Sequence, residues 1–373
     1  MVTTTIMTPN QMMFFFFKQK TAYEITASDW SSDVCSSDLQ SNNNIVFEMG
    51  HSSIAEHAVF NIDVLGVSRL LVEEIEKFRL CSYTEKSQRY VLFSDDFVIP
   101  EEIKNARMAD RFVDLIRRQN ELYFRLYEKL RPHVFDKHRD LADDPANRSM
   151  LEGWAKEDAR YILSLATQTQ LGMTLNARNL ELVMRRMASH ILQEANEYGR
   201  KLYEIVKPVA PSLIRYTEKT DYDHLTGKNL SERISTFLQE MPHEEKISSD
   251  TRSFCAPSSM VDLIQITPDA DNRVLSAFIH AATNRPLADC LRLASALPLS
   301  QKEEIFRTAF RHMKSHDAAP RALESVDLTY ELVISASCFA QLKRHRMATL
   351  LCQDYNPELG VTIPDAIRET GME

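Results

Sequence analysis

The chain has 373 residues, 44% of them hydrophobic and 26% charged, with a formal net charge of -9. That length allows two domains with their own cores, and the acidic balance argues against non-specific nucleic-acid binding. Six cysteines without a C-x-x-C pair indicate neither a zinc site nor a disulfide framework; reduced thiols in a cytoplasmic setting are expected, and no apolar run is long enough to span a membrane.

Taken in order, the chain opens on Phe14-Phe15-Phe16-Phe17-Lys18, too short for a signal-peptide core and without a basic lead. The run from Phe14 to Leu39 is similar to translated sequencing-adapter read-through. Residues 1–40 are therefore expected to be an artefactual leader, the alternative being a disordered one. Val59 to Leu65 alternates, with Phe60, Ile62 and Val64 facing one way and Asn61 and Asp63 the other, which predicts a half-buried strand. His51, Glu56 and His57 before it read either as hydrogen-bonding residues at the strand entrance or as metal ligands. Leu71, Ile75 and Phe78 stand at helical spacing behind Ser68, a suitable N-cap. The apolar pattern stops at Arg79, so the polar residues from Ser82 to Tyr90 are expected to leave the helix as a loop. Hydroxyls, one carboxylate and an arginine in such a loop suit a phosphorylated ligand; a solvated polar turn is the plain alternative.

Glu101 to Arg131 predicts one long helix, with Phe112, Leu115, Ile116, Leu122, Leu126 and Leu130 as a core stripe and Pro132 as its stop. A turn-rich break at 140–145 precedes a helix from Glu152 to about Leu163. Thr167 to Leu175 reads as a strand, and Asn176-Ala177-Arg178 opens another long helix with Leu180, Val183, Met187, Ile191, Ala195, Tyr198 and Leu202 inside. Residues 216–258 are polar and read as a linker with a short helix. Val261 to Ile266 predicts a strand, with a helix beginning at Val274.

The segment from Lys77 to Tyr90 resembles the flavin-dependent thymidylate synthase signature Arg-His-Arg-x-x-Ser-x-Asn-Glu-x-Ser-x-Arg-Tyr. Arg79, Ser82, Glu85, Ser87, Arg89 and Tyr90 match it, whereas Lys77, Phe78 and Thr84 depart from it. His316 to Arg321 parallels the His51 block, and Arg344-His345-Arg346 repeats the start of the signature, with Thr349, Leu351, Cys352 and Asp354 in place of its later polar residues. Two related copies are implied: 41–215, lacking its opening part, and 259–373, lacking its closing part, joined by the 216–258 linker. The family fold implies α+β repeats, each a mostly antiparallel sheet flanked by long helices.

The resemblance implies reductive methylation of dUMP to dTMP, with methylenetetrahydrofolate giving the carbon and NADPH reducing FAD. It implies dUMP contacts from Glu74, Lys77, Glu85, Lys86, Ser87, Gln88, Arg89, Arg160, Arg186 and Gln341. FAD contacts fall on Ser53, Lys77, Phe78, Arg79, Glu85, Asn176, Arg178, Arg344, His345 and Arg346. Arg186, Ser87 and His51 take the catalytic positions, with Arg186 stabilising charge on the uracil ring; no metal is implied. Family sites mix residues of different subunits, so a homo-oligomer is expected, and the two copies read as a fused pseudo-dimer in which copy one binds nucleotide and copy two flavin. Copy two as a purely structural half is the alternative to that division. For the whole chain, the alternatives are an inactive nucleotide- or flavin-binding homologue or fragment, and a helical carboxylate/histidine metal protein using Glu56 and His57.

Overall fold

The computed structural model describes residues 13–17, 48, 52–87, 96–240 and 260–373. It divides into two compact units, Met1–Thr251 with Ser335–Glu373, and Arg252–Ile334. The described residues are α+β, with antiparallel sheets and long helices, as the sequence implies. The tail from Ser335, which sequence reading assigns to the second repeat, belongs with the first unit.

In the first unit the sheet order is β1 (Met13–Phe17), β2 (Val59–Ser68), β4 (Gln168–Asn176), β3 (Ser82–Glu85), all antiparallel. Strand β1 lies inside the stretch expected to be a leader. The expected alternation in β2 is present: Phe60, Ile62 and Val64 are buried, and Asn61 and Asp63 are on the other face. Its register with β4 shifts between Leu65 and Val67, where Gly66 has φ 73. An extra residue with positive φ is the usual composition of a bulge, and glycine takes it without a Cβ penalty. Leu171, Met173 and Leu175 of β4 continue the buried face.

Helix α1 (Arg69–Ile75) starts where the sequence predicts. Ser68 Oγ accepts the Leu71 N–H at 3.0 Å and donates to Glu194 Oε2 at 2.5 Å. The polar loop expected after it is in part a strand: β3 pairs Ser82–Glu85 with β4 from Thr174 to Leu171. Four alternating residues can close a sheet edge on backbone bonds alone, so their polarity disguised the strand.

The helix expected over 101–131 is two helices. Helix α2 (Glu101–Asn105) ends at Arg107, which has φ 57. The Met108 N–H reaches Ile103 O and the Arg107 N–H reaches Lys104 O, at 3.1 and 2.9 Å, a Schellman closure with arginine in the place glycine favours. Helix α3 (Ala109–Lys137) then runs through Pro132 rather than ending at it. The proline removes one N–H, that facing the Glu128 carbonyl, and the flanking bonds carry the helix on. Leu115, expected in the core stripe, is 54% exposed; Ile116, Tyr123, Leu126, Leu130 and Val134 form the buried face. Tyr123, Leu126, Leu130 and Val134 pack against Leu151, Ala155 and Ala159 of α4 (Arg148–Ala159) and Ile367 of the tail.

The helix expected after Asn176 is also two: α5 (Ala177–Ala188) and α6 (Gln193–Val206). Ser189 Oγ takes up the Arg185 carbonyl, and Asn196 Nδ2 takes up those of Met187 and His190, so side chains satisfy the break. Ile191, in that break, is 81% exposed rather than buried. Gly199 lets the two helices meet closely, since a Cβ there would stand 2.9 Å from Met187 Cβ. Their apolar faces, the β2–β4 face and Leu71, Val72 and Ile75 make the main core. Residues 216–258 contain α7 (Asp221–Glu240), a 20-residue helix longer than the short one expected.

The second unit pairs β5 (Val261–Ile266) with β6 (Leu328–Leu332) antiparallel. Helices α8 (Ala270–Ala282), α9 (Leu287–Ala296) and α10 (Leu299–Phe310) complete it. Phe278 meets Phe306 and Phe310 edge-on, and Val274, Leu275, Cys290 and Ala294 are buried. The chain then returns to the first unit through α11 (Ala336–Leu342), capped by Ser335 Oγ on the Cys338 N–H at 3.1 Å, and α12 (Asp365–Glu369). Among the described residues no helix is long and apolar enough to cross a membrane.

Candidate functional site

A cavity of about 320 Å³ opens in the first unit between the end of α1, strand β3 and the turn after α11. Glu76, Tyr83, Thr84, Glu85, Lys343, Arg344 and Arg346 line it. Two buried carboxylates are set there by ion pairs. Glu85 Oε1 holds Arg69 Nη1 at 2.8 Å, with side-chain exposures of 2% and 8%. Glu76 Oε2 stands 2.9 Å from Lys343 Nζ, at 6% and 5%. Arg344 Nη2 is 3.8 Å from Glu85 Oε2. The Arg346 guanidinium lies over the Tyr83 ring, 5.5 Å from its centroid, and its Nη1 donates to the Arg79 carbonyl at 3.3 Å. Arg79 Nη2 in turn donates to Thr349 Oγ1 at 3.1 Å.

Glu76 Oε2 and Lys343 Nζ satisfy each other as an ion pair at 2.9 Å, whereas the buried Glu85 Oε2 makes no hydrogen bond among the described residues, its charge partner Arg344 Nη2 standing 3.8 Å away. Leaving such an atom unbonded costs about 1–3 kcal/mol. An unsatisfied carboxylate oxygen beside the cavity therefore favours a ligand that offers it an N–H or O–H donor.

The surrounding groups are held by burial. Tyr83 donates to the Ile75 carbonyl at 2.8 Å, and burial pushes its phenol far up. Burial likewise raises the Cys81 thiol, leaving it an inert packing residue. Burial raises the Glu73 carboxyl despite the hydrogen bond it accepts from Tyr355 at 2.8 Å. At Glu74 burial acts the same way, but hydrogen bonds from His190 and Lys77 outweigh it and hold the carboxyl below its ordinary range.

Of the residues expected from sequence, the fold gathers Glu85, Arg344 and Arg346 in the cavity wall, with Arg79 beside them. Lys77 sits at the mouth of α1 bonded to Glu74, 2.6 Å away, and Phe78 packs against the main core instead of standing free. Lys86 and His345 are exposed, and Ser87 and Gln341 half-buried, outside the lining. Arg160 is buried under α11, its Nη2 3.4 Å from the Ser337 carbonyl. Arg186 is drawn to Asp223 of α7, with Nε 3.1 Å from Oδ1. Asn176 caps α5 on the Asn179 N–H, Arg178 pairs with Glu56, and Ser53 is exposed. His51, Gln88, Arg89 and Tyr90 lie outside the described residues. Glu56 of the metal reading is thus engaged by Arg178, and among the described residues no group of three or more His, Cys, Asp or Glu side chains could hold an ion.

Sequence reading missed Glu76, Tyr83 and Lys343. The signal was there for two of them: Glu76 immediately precedes Lys77-Phe78-Arg79, and Lys343 immediately precedes Arg344-His345-Arg346.

The sequence profile of the family described as thymidylate synthase complementing protein matches residues 7–212. A flavin-dependent thymidylate synthase of Clostridium tetani is 28% identical over 214 residues, covering 56% of this chain and 83% of that protein. One from Pyrococcus furiosus is 32% identical over 162 residues, 41% of this chain and 57% of its own. A Chlamydia pneumoniae protein designated UPF0159 is 25% identical over 347 residues, 88% of this chain and 63% of its own. The chain thus spans less than two thirds of the latter two relatives. A crystal structure of a Helicobacter pylori flavin dependent thymidylate synthase complexed with FAD and dUMP overlaps 52% of this chain and 93% of its own, at 19% identity and a TM-score of 0.37. With the profile matching more than half of its length, the chain belongs to the thymidylate synthase complementing protein family, that of the flavin-dependent thymidylate synthases.

Proposed function

We propose that the cavity between β3 and the turn after α11 is a flavin subsite, and that the protein carries out FAD-dependent methylation of dUMP to dTMP. Methylenetetrahydrofolate is the carbon donor in this reading and NADPH the reductant. The observation that carries it is the buried, unbonded Glu85 Oε2 at a cavity that Lys343, Arg344 and Arg346 also line. An isoalloxazine edge offers a ring N–H between two carbonyl oxygens, which suits carboxylate acceptors beside an ammonium donor. The residues present fit the group: Lys343 donates to a ring oxygen, Glu85 or Glu76 accepts the ring N–H, and Arg344 and Arg346 offer forked donors to its phosphates. When bound, the flavin supplies the hydride that completes the new methyl group.

The chain's own residues then bind, orient and neutralise. The Arg69–Glu85 pair fixes the acceptor, and Arg346 stacked on Tyr83 holds its fork in place. The nucleotide is assigned to the residues that follow Glu85 in sequence, Lys86, Ser87, Gln88 and Arg89. Both copies contribute to the wall, Glu76 to Glu85 from the first and Lys343 to Arg346 from the second, which supports one flavin subsite shared between the copies and not flavin binding by copy two alone. A homo-oligomer and a cytoplasmic setting belong to the same proposal. The capture of Arg186 by Asp223 favours a second reading, a flavin binder without turnover.

Purification separates these readings. The enzyme is yellow, its colour bleaches with NADPH, and it forms dTMP from dUMP and methylenetetrahydrofolate. A yellow protein without dTMP formation is the binder. Arg344→Glu and Arg346→Glu should each cut retained flavin at least tenfold, and unchanged flavin content would refute the subsite.

A further inference from the structure

Arg346 lies 267 residues after Arg79 and donates to its carbonyl. The same separation relates Ser335 to Ser68, each the N-cap of a seven-residue helix whose hydroxyl accepts the N–H three residues on. It also relates Arg344 to Lys77, Thr349 to Ser82, and Lys343 to Glu76. Equivalent positions therefore meet each other: Glu76 Oε2 touches Lys343 Nζ at 2.9 Å. Around that contact the neighbours reciprocate. Arg79 of the first segment reaches Ala348 and Thr349 of the second, while Arg346 of the second reaches Arg79 and Tyr83 of the first. A position touching its own counterpart, with flanking contacts exchanged on either side, is the mark of an isologous, two-fold contact. All of these residues belong to one compact unit.

We propose that the ends of α1 and α11 pair about a local two-fold axis beside Glu76 and Lys343, and that the opposite charges at this one position select the unlike pairing. The α1 segment against another α1 segment would bury two carboxylates, and α11 against α11 two ammonium groups. Burying like charges without a partner is strongly unfavourable, so only the mixed pairing is stable. The pair thus works as a polarity key that a symmetric self-association would lack. It also orients the tail of the chain, because Lys343 fixes where Arg344 and Arg346 emerge. This inference stands whatever the cavity holds.

The test is charge exchange in the full chain, read by thermal unfolding. Lys343→Glu and Glu76→Lys each place like charges at the axis and should lower the midpoint by about 10 °C, the range expected for a broken buried pair. The exchanged double variant, Glu76→Lys with Lys343→Glu, should return to within about 3 °C of the parent, since a two-fold axis makes the positions interchangeable. In an asymmetric pocket each transplanted group would meet the wrong surroundings. A double variant as unstable as the worse single, or single variants indistinguishable from the parent, would overturn the proposal. If a single variant does not fold, recovery of folding in the double decides in favour and continued misfolding against.

Discussion

Removing Arg69 gives a clear measure of what holds the cavity open in its present form. Arg69→Met keeps the length of the side chain and deletes the ion that meets Glu85 Oε1 at 2.8 Å. Both partners are nearly inaccessible, so solvent screening offers little relief. Breaking such a pair costs about 3–5 kcal/mol because one charge stays buried and uncompensated. Arg344, 3.8 Å from the other carboxylate oxygen, offsets part of that and places the loss near about 3 kcal/mol. The loss of positive charge near Glu73 works in the same direction. Urea unfolding followed by circular dichroism should show the midpoint falling by about 1 M, for a slope of about 3 kcal/mol per M. Arg69→Met combined with Glu85→Met should recover most of it, since an apolar pair of similar volume avoids both desolvation costs. A single variant within about 0.2 M of the parent, or a double variant no better than the single, would refute the reasoning.

Two further outcomes follow from groups held away from their ordinary state. Burial raises Glu73 above its ordinary 4.5, so the folded chain binds that proton more tightly than the unfolded chain. Its contribution to stability is greatest below pH 4.5 and declines as pH climbs through the raised value. Glu73→Gln removes that dependence while keeping an acceptor for Tyr355, and urea midpoints at pH 5 and pH 8 should show the variant gaining on the parent at the higher pH. Arg107 occupies the left-handed region with φ 57, a conformation costing an L side chain about 1 kcal/mol. Arg107→Gly should stabilise by about that amount in the same unfolding assay, and a loss of stability would show that the arginine side chain contributes more than its backbone costs.

How far the sequence foretold the structure depends on the range of the forces involved. Strand β2, the Ser68 cap and α1 were readable because alternation, a hydroxyl and helical spacing act within a few residues. Strand β3 was not, because Ser-Tyr-Thr-Glu is polar and its pairing partner lies far along the chain in β4. Pro132 was read as a stop, yet packing of Leu130 and Val134 on α4 carries the helix across it. The signature pointed to Glu85, Arg344 and Arg346. It could not show that Arg186 would be taken by Asp223, which comes from a helix with the polar composition of a linker. Glu76 and Lys343 were hidden for a different reason: each is ordinary alone, and only the meeting of equivalent positions gives the pair its meaning.

The late arrival of the tail has a consequence for how the protein is made. On the ribosome Glu76 and Glu85 emerge at least 258 residues (343 − 85) before Lys343, Arg344 and Arg346. At about 5–20 residues per second the gap lasts roughly 13–50 s. During that interval the nascent protein carries a half-built acidic wall, with the second unit being synthesised in between. A premature stop anywhere in the second unit would leave Glu76 without Lys343 and Glu85 with Arg69 alone, and the chain exposed to quality control.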